Sequence, residues 1–102
     1  MYHEVLIQSF ADATTQDLYD GVDSKMARRI PKDLWPVVRR KLDALNAATS
    51  TEDLRRIPGN RFERLKRELE GRFGIRVNQQ YRLTFRFESG HAHDVRCEDY
   101  HR

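Results

Sequence analysis

The sequence predicts an α+β fold, with N-terminal helices packed on one face of a mainly antiparallel β-sheet. Three observations predict it. Leu34, Val38, Leu42 and Leu45 recur at three- and four-residue steps, the spacing of one helix face. Three runs within residues 72–99 alternate apolar and polar side chains with the period of a strand. Between the last two runs, Ser89-Gly90 marks a tight hairpin. At 102 residues, the chain fits one domain over positions 1–102 with a modest core.

The elements follow in order. His3 to Phe10 reads as a strand, rich in β-branched and aromatic residues, that joins the sheet as an edge or parallel partner. Ala11 to Asp20 reads as a short helix, capped by Asp12 and stopped by Gly21. Val22 to Ile30 lacks apolar periodicity and is expected to be an exposed, mobile loop. Pro31 to Thr49 is the strongest helix, with Trp35 as core and Pro31 and Pro36 in its first turns, where proline is tolerated. Pro36 marks either the true start or a kink. Ser50 or Thr51 caps a short turn through Asp53 and Leu54, and Pro58-Gly59-Asn60 is a turn. Arg61 to Lys66 reads as a short strand.

Three longer strands complete the sheet. Phe73, Ile75 and Val77 share one face of the first, and Tyr81, Leu83, Phe85 and Phe87 one face of the second. In the third, His93, Val95 and Cys97 oppose Asp94, Arg96 and Glu98. The opposite, wet face then carries Arg72, Arg76, Arg82, Arg86 and Arg96.

Charge narrows the function classes. Residues 55–86 hold ten basic and three acidic side chains, whereas the segments on either side are net acidic. Nine of those ten are arginine, whose planar fork suits phosphate and stacks on bases. A polyanion partner such as RNA is the natural fit. The bland alternative pairs these arginines with Glu70, Glu88, Asp94 and Glu98 across strands. The lone cysteine, Cys97, rules out an intrachain disulfide and reads as a core residue. The absence of a long apolar stretch or signal pattern points to a soluble, cytoplasmic protein without a membrane partner.

Asp99-Tyr100-His101 sets a carboxylate, a phenol and an imidazole side by side. RNA can be cut without metal because its 2′-OH is the nucleophile. The protein must then supply a base, a cation for the phosphorane and an acid for the leaving 5′-oxygen. Asp99, Tyr100 and His101 can supply proton transfer or orientation, and Lys66 and Arg82 the cation. Neither zinc-like ligand spacing nor a phosphate-binding glycine loop is present. No cofactor and no metal are expected.

These residues carry a resemblance. The chain resembles HigB-type toxins of the RelE superfamily, which belong to bacterial type II toxin–antitoxin pairs. The likeness runs through Ile7-Gln8-Ser9-Phe10, Arg40-Lys41-Leu42-Asp43-Ala44-Leu45-Asn46, Pro58-Gly59-Asn60-Arg61-Phe62-Glu63-Arg64-Leu65-Lys66, Gln80-Tyr81-Arg82-Leu83 and Asp99-Tyr100-His101. It implies a RelE-like fold, ribosome-dependent cleavage of mRNA in the A site, and neutralisation by a HigA-type antitoxin with a helix-turn-helix domain. Operator DNA would be bound only through the antitoxin complex. The resemblance places Asp99, Tyr100 and His101 in the catalytic cluster, Arg82 on the scissile phosphate and Lys66 in a loop nearby. Arg61, Arg64, Arg72 and Arg76 would hold the RNA. The chain lacks the histidine that some relatives carry within the Pro58–Lys66 segment, and Glu63 or Arg64 lies near that place. Arg67 stands for a usual glycine, Leu69 for a basic residue and Gly74 for a serine. A non-catalytic inhibitor acting on ribosome function or assembly, and a partner serving chiefly a repressor complex, are the alternatives.

Overall fold

The leucine face of the long helix and the inner faces of three strands meet in one apolar core. Leu18, Val38, Leu42, Leu45, Leu54, Ile75, Leu83, Phe85 and Val95 are fully enclosed there. The computed structural model describes residues 7–66 and 70–100. Helices α1 (Ala13–Asp20), α2 (Trp35–Ala47) and α3 (Thr51–Arg55) precede strands β1 (Glu63–Arg64), β2 (Phe73–Arg76), β3 (Tyr81–Glu88) and β4 (His91–Asp99). The strands form one antiparallel sheet in the order β1-β2-β3-β4. The expected α+β architecture is the one observed.

Helix α1 starts where Asp12 Oδ1 accepts the Thr15 N–H at 2.9 Å and stops at Gly21, whose φ of 76° suits a residue without Cβ. Thr15 Oγ1 accepts the Cys97 N–H at 2.9 Å and ties α1 to β4. The segment 22–30 departs from the expected mobile loop. Ser24 donates to Asp17 at 2.6 Å and caps the Ala27 N–H at 2.9 Å, opening a 3-10 turn over Ala27–Arg29. Ala27 and Ile30, three residues apart, are buried beneath it. Three-residue spacing is a 3-10 period, which a search for α-helical periodicity misses.

The long helix begins later than its sequence suggests. Pro31 is extended, Lys32–Leu34 form a 3-10 turn, and α2 starts at Trp35 with Pro36 in its first turn. There the missing N–H leaves no helical bond unmade. Trp35 is core, and its Nε1 donates to Ile30 O at 2.8 Å. Ser50 caps α3 through the Asp53 N–H.

Sheet register fixes which side chains share a face. Ile75 pairs with Leu83, and Leu83 with Cys97, on the helix side. Gly74 pairs with Thr84, and Arg76 with Arg82, on the outer side. Ser89 and Gly90 both take positive φ, 53° and 79°, the requirement of a two-residue hairpin turn. One expectation fails in β4. The register shifts between Thr84 and Arg86, and Asp94 has φ 52°. This bulge reverses the alternation, so Ala92 is buried and His93 lies opposite Arg86. Beyond β4, Ile7 and Phe10 make parallel bridges to Ala92 and Val95. Positions 3–6 of the expected first strand lie outside the described residues.

Candidate active site

The outer face of the sheet is less wet than alternation implies. Its middle is closed by Thr84 and Leu65, which are 0% and 3% exposed. Leu65 lies over Gly74, where a Cβ would meet both Leu65 methyls at ordinary contact distances of 3.5 and 3.8 Å. Around this floor stand arginines and carboxylates.

Three residues converge at one end. Arg82 stacks on Tyr100, with its Cζ 4.6 Å from the ring centroid. Glu63 reaches both, with Oε1 3.4 Å from Arg82 Nη1 and Oε2 accepting from the Tyr100 hydroxyl at 3.5 Å. Arg82 Nη1 is buried and makes no hydrogen bond among the described residues beyond this looser ion pair with Glu63. Register supplies the neighbours: Glu63 opposite Gly74, Arg76 opposite Arg82, and Glu98 on the other side of Arg82. The Tyr100 N–H donates to Gln80 O at 2.5 Å and holds the phenol over the sheet. Two guanidiniums side by side repel unless an anion lies between them. The Arg76 side chain makes no ion pair or hydrogen bond with any described residue.

The other expected site residues fall elsewhere. Asp99 pairs in register with Tyr81, accepts from Gln80 Nε2 at 3.1 Å, and projects to the face opposite Arg82. His101 lies outside the described residues, as do Arg67 and Leu69. Lys66 is exposed, immediately after the buried Leu65. Arg61 is exposed with φ 46°, and Arg64 is exposed with its Cζ 5.6 Å from the Phe73 ring.

Arg72 does not point to solvent. Its Nη2 donates to Thr84 Oγ1 at 3.1 Å and Asp94 O at 2.7 Å, and burial lowers its pKa. Arg72 thus braces the sheet. Arg86 pairs with Glu88 at 2.6 Å and Asp94 at 2.8 Å, and Arg96 lies 3.4 Å from Glu98. Glu98 in turn accepts a short hydrogen bond from Thr84. The cross-strand pairing alternative therefore holds for Arg86 through Asp94, whereas Arg96 pairs along its own strand and Arg76 with no described carboxylate. Glu63 is the participant that sequence patterning ranked too low. Its signal was position: it is the one acidic residue between Arg55 and Arg67.

Cys97 is enclosed, and burial pushes its thiol up to about 12, so it is no nucleophile. Among the described residues, no three His, Cys, Asp or Glu side chains gather as metal ligands. No helix among them is long and apolar enough to cross a membrane.

Comparison with known proteins agrees with this arrangement. Residues 8–101 match the family model described as RelE-like toxin of type II toxin–antitoxin system HigB. Toxin HigB-1 of Vibrio cholerae is 45% identical over 83 residues, covering 81% of this chain and 85% of that protein. Endoribonuclease HigB of Proteus vulgaris is 34% identical over 97 residues, covering 94% of this chain and 100% of that protein. The fold matches a chain of the YoeB–YefM complex from Staphylococcus aureus with a TM-score of 0.56 at 18% identity, covering 94% of this chain and 98% of that one. With a family model spanning nearly its whole length, and a sheet that sets Arg82 and Tyr100 against Glu63, the chain belongs to the HigB-like family of RelE-like type II toxins.

Proposed function

We propose that this toxin is an endoribonuclease that cuts mRNA on the ribosome by metal-free attack of the RNA's own 2′-OH. The observation that carries the reading is the convergence of Arg82, Tyr100 and Glu63 beside Arg76, whose side chain has no partner among the described residues. Arg82 supplies a guanidinium charge that stabilises the charge growing on the phosphorane. Arg76 adds a second cation one strand away. Glu63, Tyr100 and His101 are the proton-handling groups. One of them takes the 2′-OH proton as that oxygen bonds to phosphorus, and another protonates the departing 5′-oxygen. The products are a 2′,3′-cyclic phosphate and a 5′-hydroxyl. Asp99, on the other face, orients the strand end through Gln80. The endoribonuclease name of the Proteus relative supports this reading.

So open a site positions RNA poorly by itself. The ribosome supplies that positioning, with Lys66, Arg61 and Arg64 binding phosphates around the site. The neutralising partner is a HigA-type antitoxin with a helix-turn-helix domain. The type II family assignment and the fold match to a toxin–antitoxin complex support an antitoxin partner. End chemistry tests the mechanism. Ribosome-bound mRNA treated with the purified chain should yield 5′-hydroxyl ends, and a 2′-deoxy nucleotide at the cut should block cleavage. Ends bearing 5′-phosphate, or cleavage unaffected by the 2′-deoxy substitution, would rule out 2′-OH attack.

A further inference from the structure

Lys41 is a lysine where the packing calls for an apolar side chain. It lies on the buried face of α2 with Val38, Leu42 and Leu45, and is 9% exposed. Among the described residues it has no carboxylate partner. Burial, and then the nearby Arg40 charge, lower its pKa. A buried ammonium is costly to desolvate, and a long apolar side chain would fill the same space more cheaply. Its one polar contact among the described residues is Asn60, whose Oδ1 accepts from Lys41 Nζ at 2.5 Å.

Asn60 is a junction bonded through both its side-chain amide and its backbone. It is 1% exposed, and its Nδ2 donates to Leu54 O at 3.1 Å. Its N–H donates to Ile57 O at 3.3 Å, and its carbonyl accepts the Arg76 N–H at 2.6 Å. One residue therefore fastens α2 and the end of α3 to β2. The chain leaves it through Arg61, held at φ 46°, and reaches Glu63 two residues later. Arg76, opposite Arg82, hangs from the same junction.

We infer that Lys41 is a positioning residue: by locking Asn60 it sets where Glu63 and Arg76 stand against Arg82. The inference rests on the reading of this face as an RNA-cleaving site, but its geometric half can be measured without cleavage. The test is Lys41→Met in the full chain, with three readouts. Amide hydrogen exchange at Arg76 reports the junction. Single-turnover cleavage and Kd for programmed ribosomes report the site. A urea melt reports global stability. Displacement of the site by about 1 Å costs roughly 100-fold in rate. The expected result is faster Arg76 exchange and a cleavage rate reduced on the order of 100-fold. The Kd should be unchanged, and Lys41→Arg, which keeps a donor, should restore much of the rate. If Lys41→Met does not fold, Lys41→Gln, with a shorter donor, takes its place. Arg76 exchange and cleavage both at wild-type levels would overturn the inference. So would losses that track the urea midpoint alone and are not rescued by Arg. A wild-type chain that cuts nothing refutes the cleavage reading, while Arg76 exchange still decides the junction.

Discussion

Replacing Arg82 with Ala separates catalysis from stability. The structural loss is small. The Arg82–Glu63 pair, with side chains 17% and 42% exposed, is partly solvated and contributes up to about 1 kcal/mol. The stack on Tyr100 adds about 0.5–1 kcal/mol. A domain of ordinary stability, about 5–15 kcal/mol, stays almost fully folded after losing roughly 1–2 kcal/mol. The catalytic loss is larger. Removing one preorganised donor aimed at developing charge costs about 100- to 1,000-fold in rate, or about 3–4 kcal/mol. Unfolding cannot produce that drop. The assay is single-turnover cleavage of ribosome-bound mRNA, with a urea melt on the same preparation. Arg82→Lys, which keeps the charge and loses the fork, should fall between the two. A folded Arg82→Ala variant that cleaves within about threefold of wild type would refute the reasoning.

Three further outcomes are expected. Cys97 should resist thiol reagents at pH 8 until the protein unfolds, and prompt labelling of native protein would contradict its burial. Its thiol pKa is raised from 9.0 to about 12, so above pH 9 the unfolded state releases the proton first and this group lowers stability as pH rises. Asp94→Asn should cost less than about 1 kcal/mol, because the lost Arg86 pair is half exposed. Asp94→Val should cost at least about 1 kcal/mol more, because a β-branched residue resists φ 52°; equal urea midpoints would argue against the bulge. Asp12→Ala should cost about 1 kcal/mol through the lost α1 cap, seen as a Tm drop of about 4–8 °C for a domain of this size.

Much of the fold is legible because it follows local periodicity. The leucine face of α2, the alternation in β2 and β3, the Asp12 cap, the Gly21 stop and the Ser89-Gly90 turn each arise from residues within a few positions of one another. What is not legible depends on tertiary contact. The bulge at Asp94 puts Ala92 inside in place of His93, and nothing in a strict period-two count announces it. Ser24 folds the segment 22–30 by bonding to Asp17. Lys41 is charged, yet it is buried against Asn60. At the site, Arg82 and Tyr100 were legible, whereas Glu63 joins them only because β1 pairs with β2. Asp99 lies in register with Tyr81, on the face opposite Arg82, because adjacent residues on a strand face opposite ways.

The measurement that tests the central claim most directly is primer-extension mapping of mRNA ends after the chain is induced, beside Arg82→Ala and His101→Ala. The account predicts discrete cuts within translated regions that vanish in both variants. Growth arrest without new mRNA ends, or ends that persist in both variants, would contradict it and leave a basic surface that inhibits the ribosome without cutting.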